Sequence, residues 1–358
     1  MLATLPLPRS HFHQGILVMI ARDGTCNIVR LILTLGVAGT LLAGCVDETA
    51  TGISALQGTP SAEETPDDAD VGHSAMIDSI NARLLASGRA YQLASVNITV
   101  AVDSPGWNGK TTIIANNRTH VFRTLFVPRD PRRGGGTDIT YLVDQSDGLA
   151  LSITPTGSLI ALPNAVTEPE IDVSMRFWAT APLCGSPVVT KVPDPGFDPD
   201  IADGYYLNDF QLFGTPVADI THAGWVGGAL FDAVWPNGSR MFLAIALDFV
   251  WIDPVTGIPT DIDNNGRFDA AFVEIYYNRG VPWTPDFTND ISVDIQTVAN
   301  HEAGHAFGLG HFGKIFIDTN GQRKVAPRAV MNAWYDSADR NLYGTDNASF
   351  CHIWASVP

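Results

Sequence analysis

Residues 297–313 read TVANHEAGHAFGLGHFG, and three of the chain's nine histidines and one of its seven glutamates fall within residues 301–311. The run SVDIQTVANHEAGHAFG reads as a helix. On it His301 and His305, four positions apart, project from one face about one turn from each other. Two neutral imidazoles so placed hold zinc at about 2.0–2.1 Å each. Glu302 sits between them, near the metal but not aimed at it, where a carboxylate can take a proton from an activated water. Gly308 can turn the chain sharply out of the helix, which lets His311 reach back as a third ligand. Three histidines with one open position is the coordination of a catalytic zinc; a structural zinc is closed by four protein ligands.

The competing reading is a helix that happens to carry packed histidines. The spacing HExxHxxGxxH fixes five positions, and from this composition it would arise by chance anywhere with a probability on the order of 10⁻⁵. The cluster is therefore read as a metal site.

The eleven residues His301–His311 resemble the zinc signature of the metzincin metallopeptidases, which also carry a methionine in a turn beneath the metal. RAVMNAWY places Met331 as such a floor. The surrounding text is most similar to the matrixin branch and its bacterial relatives: DITYLVD to their opening strand, VANHEAGHAFGLGH to the active-site helix, LYGTDNASFCHIW to the closing helix. The likeness spans roughly residues 139–358. It implies an α+β domain with a twisted, mostly parallel sheet and an antiparallel edge strand. It also implies a cleft across the zinc, an extended peptide substrate paired on that edge strand, and endopeptidase activity. Three features depart from the pattern. Phe312 stands where matrixins have serine after the third histidine. Asp130, in VPRDPRRGGG, stands where a latency cysteine would be sought, and reads either as a zinc ligand or as part of a linker turn. Ala333 occupies the position of a zinc-proximal tyrosine, with Tyr335 two residues further on.

The chain has 358 residues, enough for a sizeable core and two structural units. Its formal net charge is −17, with 31 Asp against 7 Glu. That imbalance disfavours nucleic acid and anionic membrane surfaces as partners. Ahead of the folded body, Arg22 and Arg30 precede LILTLGVAGTLLAGC, a short apolar run ending in small residues. This has the shape of a secretory signal over 1–44, too short for a spanning helix. Leu42-Ala43-Gly44-Cys45 resembles a bacterial lipobox with Cys45 as the lipidated residue. The expected location is the bacterial cell envelope, lipid-anchored, or secreted, with membrane contact only through the anchor. Residues 45–72 read as a disordered acidic tether.

Residues 73–137 read as a helix-plus-strand unit, either a removable pro-segment or an N-terminal subdomain, with helical spacing of Met76, Ile77, Ile80, Leu84 and Leu85 up to Gly88. Residues 138–358 read as the metallopeptidase domain, acting as a monomer. Its strand runs are DITYLVDQ, RMFLAIALDFVWID and DAAFVEIYYN, and TDNASFCHIWAS reads as a terminal helix capped by Thr345 or Asp346. Cys184 and Cys351 form an even pair in an oxidising compartment, and a disulfide between them is expected. In the chain-entropy model such a long loop is worth roughly 4–5 kcal/mol.

Two secondary signals remain. DIDNNGRFD, 261–269, has Asp261, Asp263, Asn265, Gly266 and Asp269 at the spacing of a calcium loop, but Phe272 replaces the closing glutamate. It reads either as a partial calcium site or as a solvated Asn-Gly turn. His222, three after Asp219, reads as a hydrogen-bonded structural histidine. DPGFDPDIADG, 194–204, reads as a loop, with calcium binding as the lesser alternative. The function this implies is zinc-dependent cleavage of peptide bonds in envelope or extracellular proteins, with Glu302 as general base. The alternative is a binding or adhesion lipoprotein that retains the fold with little turnover.

Overall fold

The computed structural model describes residues 75–101, 112–113, 124–180, 182–197, 199–202, 204, 216–286 and 291–355. The signal, the lipobox with Cys45 and the tether lie outside the described residues. The central sheet contains β1 (Tyr91–Ala101), β2 (Thr124–Leu125), β3 (Ile139–Val143), β4 (Val189–Lys191), β5 (Ile220–Val226), β6 (Phe242–Trp251), β7 (Phe268–Asn278) and β8 (Trp334–Tyr335). Their order is β8–β1–β6–β7–β5–β3–β4, with β2 paired on β7 off this path. Among the described residues five α-helices accompany it: α1 (Ala75–Ala86), α2 (Asn164–Thr180), α3 (Gly228–Val234), α4 (Ile295–Ala306) and α5 (Gly344–Trp354). The fold is mixed α and β with a mostly parallel sheet, and none of the described helices is long and apolar enough to cross a membrane.

Alternation along the central strands separates two cores. On β6 and β7, Ala244, Ala246, Val273, Ile275 and Tyr277 pack with Ile171, Met175 and Trp178 of α2 and Val298, Ala299 and Ala303 of α4. Their neighbours Ile245, Leu247, Phe249, Phe272 and Tyr276 join Ile77, Ile80 and Leu84 of α1 and Leu230, Phe231 and Val234 of α3 in the second core. The helical spacing read for residues 75–86 thus has a buried stripe as its cause, although Leu85 lies off it and is exposed.

The antiparallel strand is β6, and it is not at an edge, contrary to the expectation for this sheet. β1 pairs antiparallel along its outer side from Tyr91↔Trp251 to Val100↔Phe242. β8 then pairs parallel with the end of β1 through Val100↔Trp334 and Ala101↔Tyr335. The cause is a row of main-chain donors and acceptors that β6 would otherwise leave open beside a buried face. Val96, Ile98 and Val100 enter the second core alongside Phe249, and Asn81 of α1 exchanges hydrogen bonds of 2.9 and 2.7 Å with the Leu93 main chain. Residues 75–101 and the strands after 138 therefore share one sheet.

At the other end of the chain, Cys184 and Cys351 are disulfide-bonded with Cα atoms 5.6 Å apart, tying the segment after α2 to α5. The ring of Phe350 stacks on Trp178 with centroids 5.6 Å apart. The cap of α5 is Tyr343, neither Thr345 nor Asp346; Asp346 lies in the first turn and its carboxylate accepts the Tyr343 N–H at 3.1 Å.

A chain starting at Asp138 lacks α1 and β1, so it presents the β6 edge and the side chains of Ile245, Leu247 and Phe249 to water. It is expected to aggregate and to lose near-UV circular dichroism. A soluble, cooperatively melting product would show that the first strand is dispensable for folding.

Candidate metal centre

Helix α4 is held at its start by side chains distant in sequence and ended by a local glycine turn. Asp294 caps it, accepting the Thr297 N–H at 2.9 Å, and Arg340 donates to the same carboxylate at 3.0 Å. The Tyr335 hydroxyl accepts the Asp294 N–H at 3.0 Å, so Tyr335 serves the helix start. At the far end Gly308 takes φ +83°, a left-handed conformation that glycine adopts without the penalty a Cβ imposes. That turn brings the Leu309 carbonyl back over the last helical residues, where it accepts a hydrogen bond from His305 Nδ1 at 2.8 Å.

His301, His305 and His311 converge. His301 Nε2 lies 3.1 Å from His311 Nε2 and 3.0 Å from His305 Nε2. His301 Nδ1 meets the Val330 carbonyl at 2.8 Å, as His305 Nδ1 meets Leu309. A carbonyl oxygen only accepts, so both Nδ1 atoms carry the proton and both Nε2 atoms present lone pairs. Burial drives the His301 pKa down to about 4, which keeps it neutral. Lone pairs directed at one another across about 3 Å repel unless a cation lies between them, and this spacing suits the nitrogens of one tetrahedral ion. The three histidines are placed to hold a metal ion.

A methionine lies under the helix. A Cβ on Gly304 would stand 2.3 Å from Met331 Sδ and 2.9 Å from Trp178 Cζ2, so the bare backbone of Gly304 is what lets the methionine turn approach. The turn is held by Asp346, whose carboxylate accepts the Val330 N–H at 2.8 Å and the Met331 N–H at 3.1 Å. Asp346 thus fixes the residue whose carbonyl orients His301, an outer-shell role. Burial raises its pKa to about 6, with the three main-chain hydrogen bonds opposing that rise. Phe312 is buried against the first core; its N–H donates to the Met331 carbonyl at 2.8 Å and its carbonyl accepts Asn332 Nδ2 at 2.6 Å, which binds the His311 strand to the same turn.

Glu302 is fully buried, and burial lifts its pKa to about 8. The Thr99 hydroxyl donates to Oε1 at 2.5 Å and opposes that rise, whereas the charge of Asp248 adds to it. Its Oε2 has no hydrogen-bond partner among the described residues. A narrow cleft of about 40 Å³ opens beside His301, lined by Thr99, Val298, Val330, Asn332, Trp334 and Tyr335 among others.

Asp130 is not a ligand. Its carboxylate is chelated by Arg132 at 2.6 to 3.0 Å, and Arg132 continues to Asp269 at 2.7 Å, placing Asp130 in the calcium-like loop's network rather than with the histidines. In that loop Asp261, Asp263 and Asp269 bring carboxylate oxygens within 4.8 Å of one another, a geometry able to hold a metal ion. Asn265, also named for this site, instead uses its side-chain oxygen to accept the Arg267 N–H at 2.8 Å. Internal turn bonds such as Gly266 N–H to Asp261 at 2.9 Å shape the loop as well. Asp144, Asp147 and Asp200 form a second carboxylate group of the same compactness, in which Asp200 of the 194–204 loop meets two aspartates of the loop after β3 that carry no metal-loop spacing. His222 is a buried core residue with Nδ1 2.9 Å from the Tyr277 hydroxyl, and Asp219 is held by Arg133 at 2.7 Å. No family model matches the chain, and no curated protein matches it.

Two outcomes follow from these contacts. Gly304→Ala forces Met331 or Trp178 aside and is expected to cost about 1–3 kcal/mol in urea denaturation, with weakened metal retention; an unchanged midpoint would refute the close approach. Burial depresses the His222 pKa from 6.5 to about 3. Above pH 6.5 neither state takes a proton there. As pH falls from 6.5 towards 3 only the unfolded chain does, so stability drops by about 1.4 kcal/mol per pH unit. Urea titrations between pH 4 and 7 should show this slope in the wild type in excess of His222→Gln, and equal slopes would refute the assignment.

Proposed function

We propose that the chain is a zinc-dependent endopeptidase of metzincin type that hydrolyses peptide bonds in extended segments of protein substrates. The observation that carries this reading is the convergence of three Nε2 atoms at 3.0–3.1 Å beside a buried carboxylate with one oxygen unengaged. His301, His305 and His311 would hold the ion, and zinc there supplies Lewis acidity that acidifies a water and polarises a carbonyl. Glu302 Oε2 accepts the water's proton and later delivers it to the leaving amine. Burial makes this carboxylate a stronger base than an exposed one, while a cation on the histidines opposes that effect. The Val330 and Leu309 carbonyls hold the His301 and His305 rings, Asp346 holds the turn that carries Val330, and the substrate would enter by the cleft beside His301.

A lipobox at residues 42–45 supports envelope anchoring of the enzyme through Cys45. The all-oxygen set of Asp261, Asp263 and Asp269 suits a hard cation such as calcium, with Arg132 on Asp269 as the competing charge. The burial of all four central residues, none above 3% exposed, favours a second reading, a binding lipoprotein with little turnover.

Cleavage of a fluorescently quenched, unfolded protein by residues 46–358 separates the two. Wild-type turnover is expected, with Glu302→Ala reduced on the order of 10²–10⁴-fold while one zinc per chain is retained. Zinc binding with no turnover in either protein would leave the binding reading.

A further inference from the structure

Glu302 takes its hydrogen bond from the opposite end of the chain. On β1, Ser95, Asn97 and Thr99 alternate with residues of the second core and so face the α4 side of the sheet. All three are buried, and all three donate to carboxylates. Ser95 Oγ and Asn97 Nδ2 bond Asp248 Oδ2 at 2.8 and 2.6 Å, and Thr99 Oγ1 bonds Glu302 Oε1 at 2.5 Å. A polar row of this kind is costly inside a sheet unless each group is satisfied. Here two buried carboxylates take its three donors, while Asn97 Oδ1 has no partner among the described residues.

We propose that Thr99 is the positioning residue of the general base: its hydroxyl engages Oε1, fixes the carboxylate rotamer, and leaves Oε2 turned towards the reacting water. The segment before residue 102 is then part of the working centre rather than a cover for it. β1 is locked between β6 and β8 at this point, so the hydroxyl is presented from a rigid strand. Asp248, engaged by Ser95 and Asn97, is kept from competing for the same donor. The inference rests on the peptidase reading for its kinetic consequence, but the contact itself does not.

The test compares wild type, Thr99→Val and Thr99→Ser in the chain 46–358. Valine keeps the shape and removes the donor, whereas serine restores it. For Thr99→Val we expect kcat to fall on the order of 10- to 100-fold with KM, zinc stoichiometry and melting temperature held, and Thr99→Ser to recover most of the loss. In the metal-free protein, the infrared carboxyl band assigned to Glu302 by difference against Glu302→Gln should move in Thr99→Val and return in Thr99→Ser. A rise in kcat for Thr99→Val would overturn the proposal and make β1 an inhibitory strap. Unchanged kcat and an unmoved band would overturn it while the peptidase reading stood. A band that moves in Thr99→Val when the wild type itself shows no turnover would keep the contact but overturn the kinetic role together with the peptidase reading.

Discussion

Two hydrogen bonds from imidazole Nδ1 atoms to main-chain carbonyls govern this molecule. They decide which nitrogen of His301 and His305 faces the centre, and each requires a carbonyl that ordinary helix geometry does not supply. For His305 the carbonyl is that of Leu309, available because Gly308 reverses the chain with φ +83°. For His301 it is that of Val330, a residue in a separate turn held by Asp346 from the closing helix. The turn can come near enough only because Gly304 has no side chain. Helix, methionine turn and closing helix are thus one assembly.

The sheet supplies the other half of the arrangement. Glu302, buried next to His301 on α4, needs a polar neighbour for Oε1 in a region otherwise packed with Val298, Ala299, Ala303 and the strand side chains. Thr99 provides it, and β1 can do so because β6 runs against its neighbours and offers it a full antiparallel register. An antiparallel strand left at the edge would have carried no partner for Glu302.

Features with a local period were legible in advance. The metal-bearing helix, the long strand runs and the cysteine pair follow from spacing, alternation and compartment. Features set by long-range pairing were not. SVNITV alternates polar and apolar residues, which on a strand ordinarily signals a solvated face, and nothing local reveals that Asp248 and Glu302 wait beneath it. Asp346 carries a sound capping signature, since it does accept the Tyr343 N–H, but its larger task on Val330 and Met331 depends on a turn fifteen residues away. Asp130 sits at a suggestive position and is claimed by Arg132, two residues later. Asp144, Asp147 and Asp200 meet only because separate loops fold together.

The centre draws its last two supports from opposite ends of the polypeptide, Thr99 near the start of the folded body and Asp346 near its finish, with Cys351 closing the bond to Cys184 only beyond that. A chain emerging in order, first residue first, has made the histidines before it has made the helix that orients them. A chain that ends between residues 311 and 346 therefore carries the three histidines without the support that orients His301. The support of His301 is complete only once the final helix has docked and Asp346 holds the turn that carries Val330.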